Sequence, residues 1–394
     1  MLERFAILVA LSFSSIVAQG SGAAEGLRFE NGALLNGALE GGLGHESNIS
    51  LSDEDQISSW FWQVSPEFEL LLSPSNFTHV FKGSSQIRQY MNSHEDDFED
   101  LKIIYTGRWE PNSQHRSRAV ISIVKGHQKR GDGFTQDLSQ PLEEVIQTDD
   151  KTLTLAHEYG RLVAKGRIGG ELSYADRDFS NLHDFTDQFA FEQYGAGGWF
   201  YYRVGQQTNL TVDVAYDTYD YKLDEDVPRD SDSVKLLLGA VWEGLSKTTG
   251  QFKLGVERKM FGSAARNDYT GLTFDVGATW KPKTYSEFAL DMNRAISEAR
   301  LTGDPIVKTM MTVNWMHTWS EYMSSGARYQ LRIDDEQGTR NRRDERHLIG
   351  VNVSRSLAKS VLVTGEIAWV SNHSNLPGFD YTNALVSIGL RVNL

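Results

Sequence analysis

Cysteine is absent from the 394 residues. That single absence excludes disulfides, thiolate metal sites, cysteine nucleophiles and an N-terminal lipid-modified cysteine. Proline is sparse, at 8 residues, and no Pro- or Gly-rich linker divides the chain into domains. Basic residues are the minority: 39 Lys and Arg stand against 53 Asp and Glu, a net charge of −14. So acidic a chain is a poor partner for nucleic acid. Past the N-terminus, no apolar run approaches the ~20 residues that a membrane-spanning helix needs. What is abundant points to strands instead: 35 glycines, 15 tyrosines and 9 tryptophans.

Met1 to Ala24 has the form of a secretory signal peptide. Arg4 precedes the apolar run Phe5 to Val17, and small residues follow. Gly22-Ala23-Ala24 suits cleavage before Glu25, and Ala18-Gln19-Gly20 is a second candidate. Residues 25–394 are expected to form one domain.

That domain is written in alternating segments. Along Tyr381 to Leu394, Ala384, Val386, Ile388, Leu390, Val392 and Leu394 share one face. Asn383, Ser387, Gly389, Arg391 and Asn393 take the other, because strand side chains alternate. In Trp60 to Leu72, Trp60, Trp62, Val64, Pro66, Phe68, Leu70 and Leu72 face one way, with Gln63, Ser65, Glu67 and Glu69 opposite, together with Phe61 and Leu71. The tryptophans suit an interfacial aromatic girdle. The same alternation recurs around Ile103, Val212, Phe274, Leu290 and Leu331. Short turns such as Ser73–Asn76 and Pro111–Ser113 alternate with long charged loops such as Lys129–Asp150 and Lys222–Asp232. An apolar face, a polar face and strict short–long alternation together predict an all-β, transmembrane, antiparallel up-and-down barrel with both termini periplasmic. The segments number about 18, with about 16 as the alternative, a size that leaves an aqueous channel. The strand Tyr381–Leu394 is expected to close the wall against Leu35–His45.

The interior is expected to be polar and mixed in charge, carrying Glu67, Glu69, Lys102, Arg108, Glu110, Asp213, Asp275, Asp291, Arg328, Arg332 and Arg391. Such groups either set solute selectivity or pair across strands to stabilise the wall. Lys129–Asp150, the longest connection, carries Phe134, Leu138, Pro141, Leu142, Val145 and Ile146 among its acids. It either folds inward to constrict the pore or lies on the surface. The ten histidines form no helical or zinc-finger ligand pair, and no serine sits in a nucleophile elbow. No catalysis, cofactor or metal is expected. His94-Glu95-Asp96-Asp97 is a solvated acidic loop or, alternatively, a divalent-cation site.

Two sets of motifs carry resemblances. Ser387, Gly389, Val392 and Leu394 resemble the C-terminal assembly signal of bacterial outer-membrane barrels, with leucine in place of the usual final aromatic. That resemblance implies outer-membrane lipid and the barrel-assembly machinery as partners. The Gly-rich opening strand running into Gly44-His45-Glu46-Ser47-Asn48-Ile49 belongs to the second set, with Tyr159-Gly160, Phe179-Ser180-Asn181 and Tyr381-Thr382-Asn383. These resemble the β-barrel porins of capsule and exopolysaccharide gene clusters, although His45-Glu46 stands where that family often has an aspartate. The resemblance implies export of a polysaccharide chain beside a periplasmic export protein and an inner-membrane co-polymerase. Lumenal tyrosines and arginines would then touch the sugar. A general or oligosaccharide-uptake porin is the alternative on the same fold. An outer-membrane hydrolase and a secreted soluble β protein are further readings.

Overall fold

The computed structural model describes residues 26–394 apart from 134, 136–141, 224–226, 246, 299–303 and 339–340. A short β1 (Leu27–Arg28) is followed by β2 (Leu34–Glu46), β3 (Ser59–Leu72), β4 (Phe77–Tyr90), β5 (Phe98–Asn112), β6 (His115–Gln128) and β7 (Ile146–Tyr159). Next come β8 (Gly166–Phe179), β9 (Phe191–Arg203), β10 (Thr208–Tyr221), β11 (Ser231–Leu245), β12 (Thr248–Phe261) and β13 (Tyr269–Lys283). The series ends with β14 (Ser286–Ser297), β15 (Ile306–Ser320), β16 (Met323–Glu336), β17 (Arg343–Ala358), β18 (Val361–Ser374) and β19 (Tyr381–Asn393).

From β2 to β19 each strand pairs antiparallel with its sequence neighbours, and β19 pairs with β2 from Leu385↔Glu46 to Asn393↔Ala38. The result is a closed barrel of 18 antiparallel strands. Closure is what lipid demands, since an open edge would leave a row of backbone donors and acceptors with no partner. At the base of the seam, the Leu394 amide donates to the Gly37 carbonyl at 2.9 Å.

The alternation assigns the two faces. Leu39, Leu43, Ile388, Leu390 and Leu394 are exposed and outward, while Glu46, Asn383 and Leu385 on the same two strands are buried. Aromatic girdles bound the outward apolar band. At the short-turn rim Phe77 stacks with Trp109, and Trp280 with Phe288 and through it Trp315. At the opposite rim stand Trp60, beside His45, and the pair Tyr174–Tyr194. The chain enters and leaves at the short-turn rim, the periplasmic side of an outer-membrane barrel.

Two boundaries differ from those the sequence suggests. The loop after β6 ends at Val145, because Thr148, Asp149 and Asp150 already belong to β7. At the outer rim both faces of a strand meet water, so alternation fades and the extension resembles loop. The turn 160–165, between β7 and β8, escapes the pattern as well. It begins at Gly160 with φ of 122°, a backbone conformation that favours glycine.

One device recurs at the base of the long loops. The residue before a strand is an aspartate whose carboxylate accepts a hydrogen bond from the backbone amide ending the preceding strand. Asp97 takes the Tyr90 amide at 2.6 Å, Asp230 takes Tyr221 at 2.8 Å, Asp268 takes Phe261 at 3.1 Å and Asp380 takes Ser374 at 2.7 Å. Each staple satisfies the last amide of a hairpin where ladder pairing stops. Replacing Asp97, which like Asp230 is half-buried where Asp268 and Asp380 are exposed, by alanine should destabilise the barrel by roughly 1–2 kcal/mol. Denaturant unfolding in lipid or detergent measures this, and an unchanged midpoint would mean the staple carries no stability.

Candidate functional site

The candidate site is the inner wall together with the loops that fold over its outer mouth. All eleven charged positions expected inside fall on the inward register. Glu67 and Glu69 alternate with exposed Phe68, and Arg391 with exposed Leu390 and Val392. Lys102 faces Ser84 on one side and Val124 on the other, while Arg108 is registered with Thr78 and Arg118. Glu110 continues the same inward face of β5.

Some of these residues meet. Arg391 bridges the seam, 2.7 Å from Glu67 and 3.7 Å from Glu40. Glu69 pairs with Lys82 at 2.7 Å, Asp213 with Lys253 at 2.8 Å, and Arg332 binds Asp334 through two nitrogens. Asp275 accepts from Gln251 at 2.8 Å. Others stand apart. Lys102 and Arg108 lie on β5, and Asp275 and Asp291 lie on β13 and β14, close to half the ring away. Arg118 adds a cation on β6. Lys253 on β12 stands directly opposite Asp275, and Arg328 lies on the inward face of β16, so the wall is mixed in charge around the ring.

The mouth holds the groups that charge patterning alone does not reveal. Loop 47–58 folds inward, so that Ile49 packs with Phe61, Tyr90, Ala368 and Leu385, and Leu51 packs with Leu348, Val370 and Tyr381. The root of the loop after β6 crosses to meet it. Lys129 reaches Glu46 at 2.5 Å, and Asp132 lies 3.3 Å from Arg346 on β17. The adjacent Arg130 holds Asp96 through two nitrogens, at 2.9 and 2.5 Å. Glu46 is fully buried and gathers further partners: the Tyr90 hydroxyl and the Asn383 side-chain amide each donate at 2.7 Å, and Arg88 lies 3.6 Å away. From the far side Glu298 takes a hydrogen bond of 2.7 Å from the Tyr221 hydroxyl and pairs with Lys259 on β12.

The described root 129–133 of the longest loop is therefore directed into the mouth. At its other end Ile146 is buried with Phe179, Phe189 and Ala190, Leu142 packs half-buried against them, and the Val145 carbonyl accepts from the Asn181 side-chain amide at 2.9 Å. Phe134, Leu138 and Pro141 lie outside the described residues.

The cation-site reading of His94-Glu95-Asp96-Asp97 fails on its partners. Asp96 is occupied by Arg130 and Ser93, and Asp97 by the Tyr90 amide and His94. Among the described residues no group of three or more His, Cys, Asp or Glu is placed to hold a metal. Among the described residues, one serine–histidine contact that could suggest a hydrolase lies on the outer surface. There Ser117 Oγ lies 2.8 Å from His157 Nδ1, and His157 Nε2 lies 3.3 Å from His115. Its third member is an imidazole rather than the carboxylate that orients a catalytic histidine.

Burial opposes the charge of Lys129, but the Glu46 carboxylate more than compensates and raises its pKa. A raised lysine value makes the tether fully present below the ordinary value of about 10.4 and lost only as pH climbs through the higher folded value. Conductance should therefore stay flat from pH 7 to about 10 and rise at more alkaline pH. Replacing Lys129 by alanine leaves Glu46 with Arg88, Tyr90 and Asn383, so the barrel should fold while its conductance rises already at neutral pH. Single-channel recording across that range decides, and equal conductance in variant and wild type would show that the tether does not narrow the mouth.

A family model described as putative beta-barrel porin 2 matches residues 28–394. Among solved structures, the chain is similar at 10% identity to the outer membrane protein OpdK from Pseudomonas aeruginosa. That match covers 92% of this chain and 99% of that one, with a TM-score of 0.47. The FrpB iron transporter from Neisseria meningitidis matches at 10% identity over 91% of this chain and 81% of that chain, with a TM-score of 0.45. OccAB4 from Acinetobacter baumannii matches at 10% identity over 91% and 98%, with a TM-score of 0.46. No curated protein sequence matches the chain.

Proposed function

The chain belongs to the putative beta-barrel porin 2 family, and from that premise we propose that it is a passive outer-membrane channel admitting small hydrophilic solutes. Family membership makes it a channel rather than an enzyme. The observation that carries the small-solute reading is the crossing of the outer mouth by the root 129–133, held at Lys129–Glu46 and Asp132–Arg346. A mouth narrowed by anchored loops passes solutes by size. A conduit for a polymer must instead clear a chain many sugars long.

The export reading implied by the motif resemblance gains nothing from the family match, and the uptake alternative fits better. The resembling motifs have an architectural use that is independent of cargo. Glu46 and Asn383 join the ends of β2 and β19, and the Asn48 amide donates to Asn383 at 3.0 Å. Passage needs only brief contacts with the wall, and a polar wall of mixed charge supplies them without a deep well.

Liposomes carrying the purified protein should swell in monosaccharides and progressively less in longer oligosaccharides. Removing both tethers, with Lys129→Ala and Asp132→Ala, should raise the size limit. Failure to pass monosaccharides, with loss of surface polysaccharide in a deletion strain, would reverse the choice in favour of export.

We further infer that Ser387, Gly389, Val392 and Leu394 form the signal read by the barrel-assembly machinery. Val392 and Leu394 face outward, where a partner can reach them. Leu394→Asp should slow membrane insertion in cells with little effect on the finished barrel, as followed by heat-modifiable gel mobility. Unchanged insertion kinetics would remove the assignment.

A further inference from the structure

We propose that the inner wall of β8, β9 and β10 carries a subsite for a neutral saccharide, with the Trp199 indole as its stacking platform. The proposal rests on the channel reading above and adds a substrate class to it.

The inward face of β9 runs Gly195, Gly197, Trp199 and Tyr201, alternating with outward Ala196, Phe200 and Tyr202. Directly across from Trp199 on β8 is Gly169. A side-chain carbon added at Gly169 would lie 2.2 Å from Cε2 and 2.3 Å from Cζ2 of the indole. The ring therefore occupies the space that the glycine leaves, lying against the wall with its other face towards the lumen. Its orientation is fixed from one edge. Nε1 donates to Glu158 at 3.2 Å, and Glu158 is itself held by Arg116 at 2.6 Å and Arg167 at 3.3 Å. Among the described residues no ring or cation stacks on Trp199. By contrast, the neighbouring Tyr201 ring has Arg167 4.8 Å from its centre.

Two residues earlier on the same face, the wall is bare. An added carbon at Gly197 would meet nothing nearer than the Val214 carbonyl at 3.6 Å. Gly197 is flanked by Glu171 on β8 and Ala215 on β10, and Trp199 by Asp213 on β10, whose carboxylate Lys253 holds at 2.8 Å. Glu171 makes no hydrogen bond or ion pair among the described residues, although Arg118 and Asp217 act on it electrostatically. The arrangement is a fixed aromatic face, a shallow bare strip beside it, and carboxylates at the margins.

That combination selects a ligand chemistry. A pyranose offers an apolar face of C–H bonds to the ring and donates its hydroxyls at the edge. Carboxylates only accept, so they suit hydroxyl donors, while Lys253 at Asp213 and Arg118 near Glu171 offset their charge and leave a strip suited to a neutral ligand. A single platform gives weak, reversible contact, which transit requires.

The test uses the full barrel in planar bilayers with neutral maltooligosaccharides as blockers, and the same sugars on detergent-solubilised protein read by calorimetry. Wild type should show reversible block, weakened about tenfold in Trp199→Ala and only partly in Trp199→Phe. Gly197→Leu leaves the indole in place but fills the strip, and it should abolish block while keeping ion conductance. Unaltered block in both Trp199→Ala and Gly197→Leu would overturn the subsite and leave the channel reading intact. A barrel that binds sugar through Trp199 yet conducts nothing would keep the subsite and overturn the channel. Absence of both block and calorimetric binding in the wild type overturns the subsite. Heat-modifiable mobility confirms that each variant is folded.

Discussion

Lipid offers no hydrogen bonds, and this constraint governs the rest of the molecule. Every amide and carbonyl at membrane depth must find a partner within the chain, so strands can cross only as a ring. The ring closes where β19 meets β2, and the two strands do more than pair. At their outer ends Glu46 and Asn383 bond across the seam, Asn48 anchors its loop to the Thr382 carbonyl and Asn383, and Tyr90 and Lys129 converge on the same carboxylate. Barrel closure and the narrowing of the mouth thus share one buried glutamate.

Burying a carboxylate is costly unless charge and hydrogen bonds surround it. Glu46 has both, with Lys129 and Arg88 as cations and Tyr90 and Asn383 as donors. Loop 47–58 covers the cluster with Ile49 and Leu51, removing it from the water of the channel. Inside the barrel, then, a small hydrophobic core lies under the loops, a feature that an image of a plain water-filled tube omits.

Much of this was legible in the sequence because a barrel wall has only two environments. Strand alternation identified the closing pair, the outward tryptophans and the inward faces of Glu67, Asp213, Asp275 and Arg391. It worked wherever lipid lay on one side and water on the other. It missed Thr148, Asp149 and Asp150, which extend β7 beyond the wall, and although it set Phe61 on the inward face it did not show that a loop buries it there with Tyr90. Glu46 appeared as one residue of a motif, but nothing local shows that Lys129, more than 80 positions later, is its partner. The platform at Trp199 was equally hidden, since its position depends on a glycine in the neighbouring strand. Pairings distant in sequence leave no periodic trace.

The aspartate staples at the loop bases have a consequence for how such a surface changes over time. Each fixes the two strand ends of its hairpin before the loop begins, so the loop body inherits a set span and direction whatever it is made of. The exterior is thereby decoupled from the wall. Insertions and substitutions beyond a staple alter what the cell displays to phage, antibodies or neighbours, while the register of the barrel stays as it was.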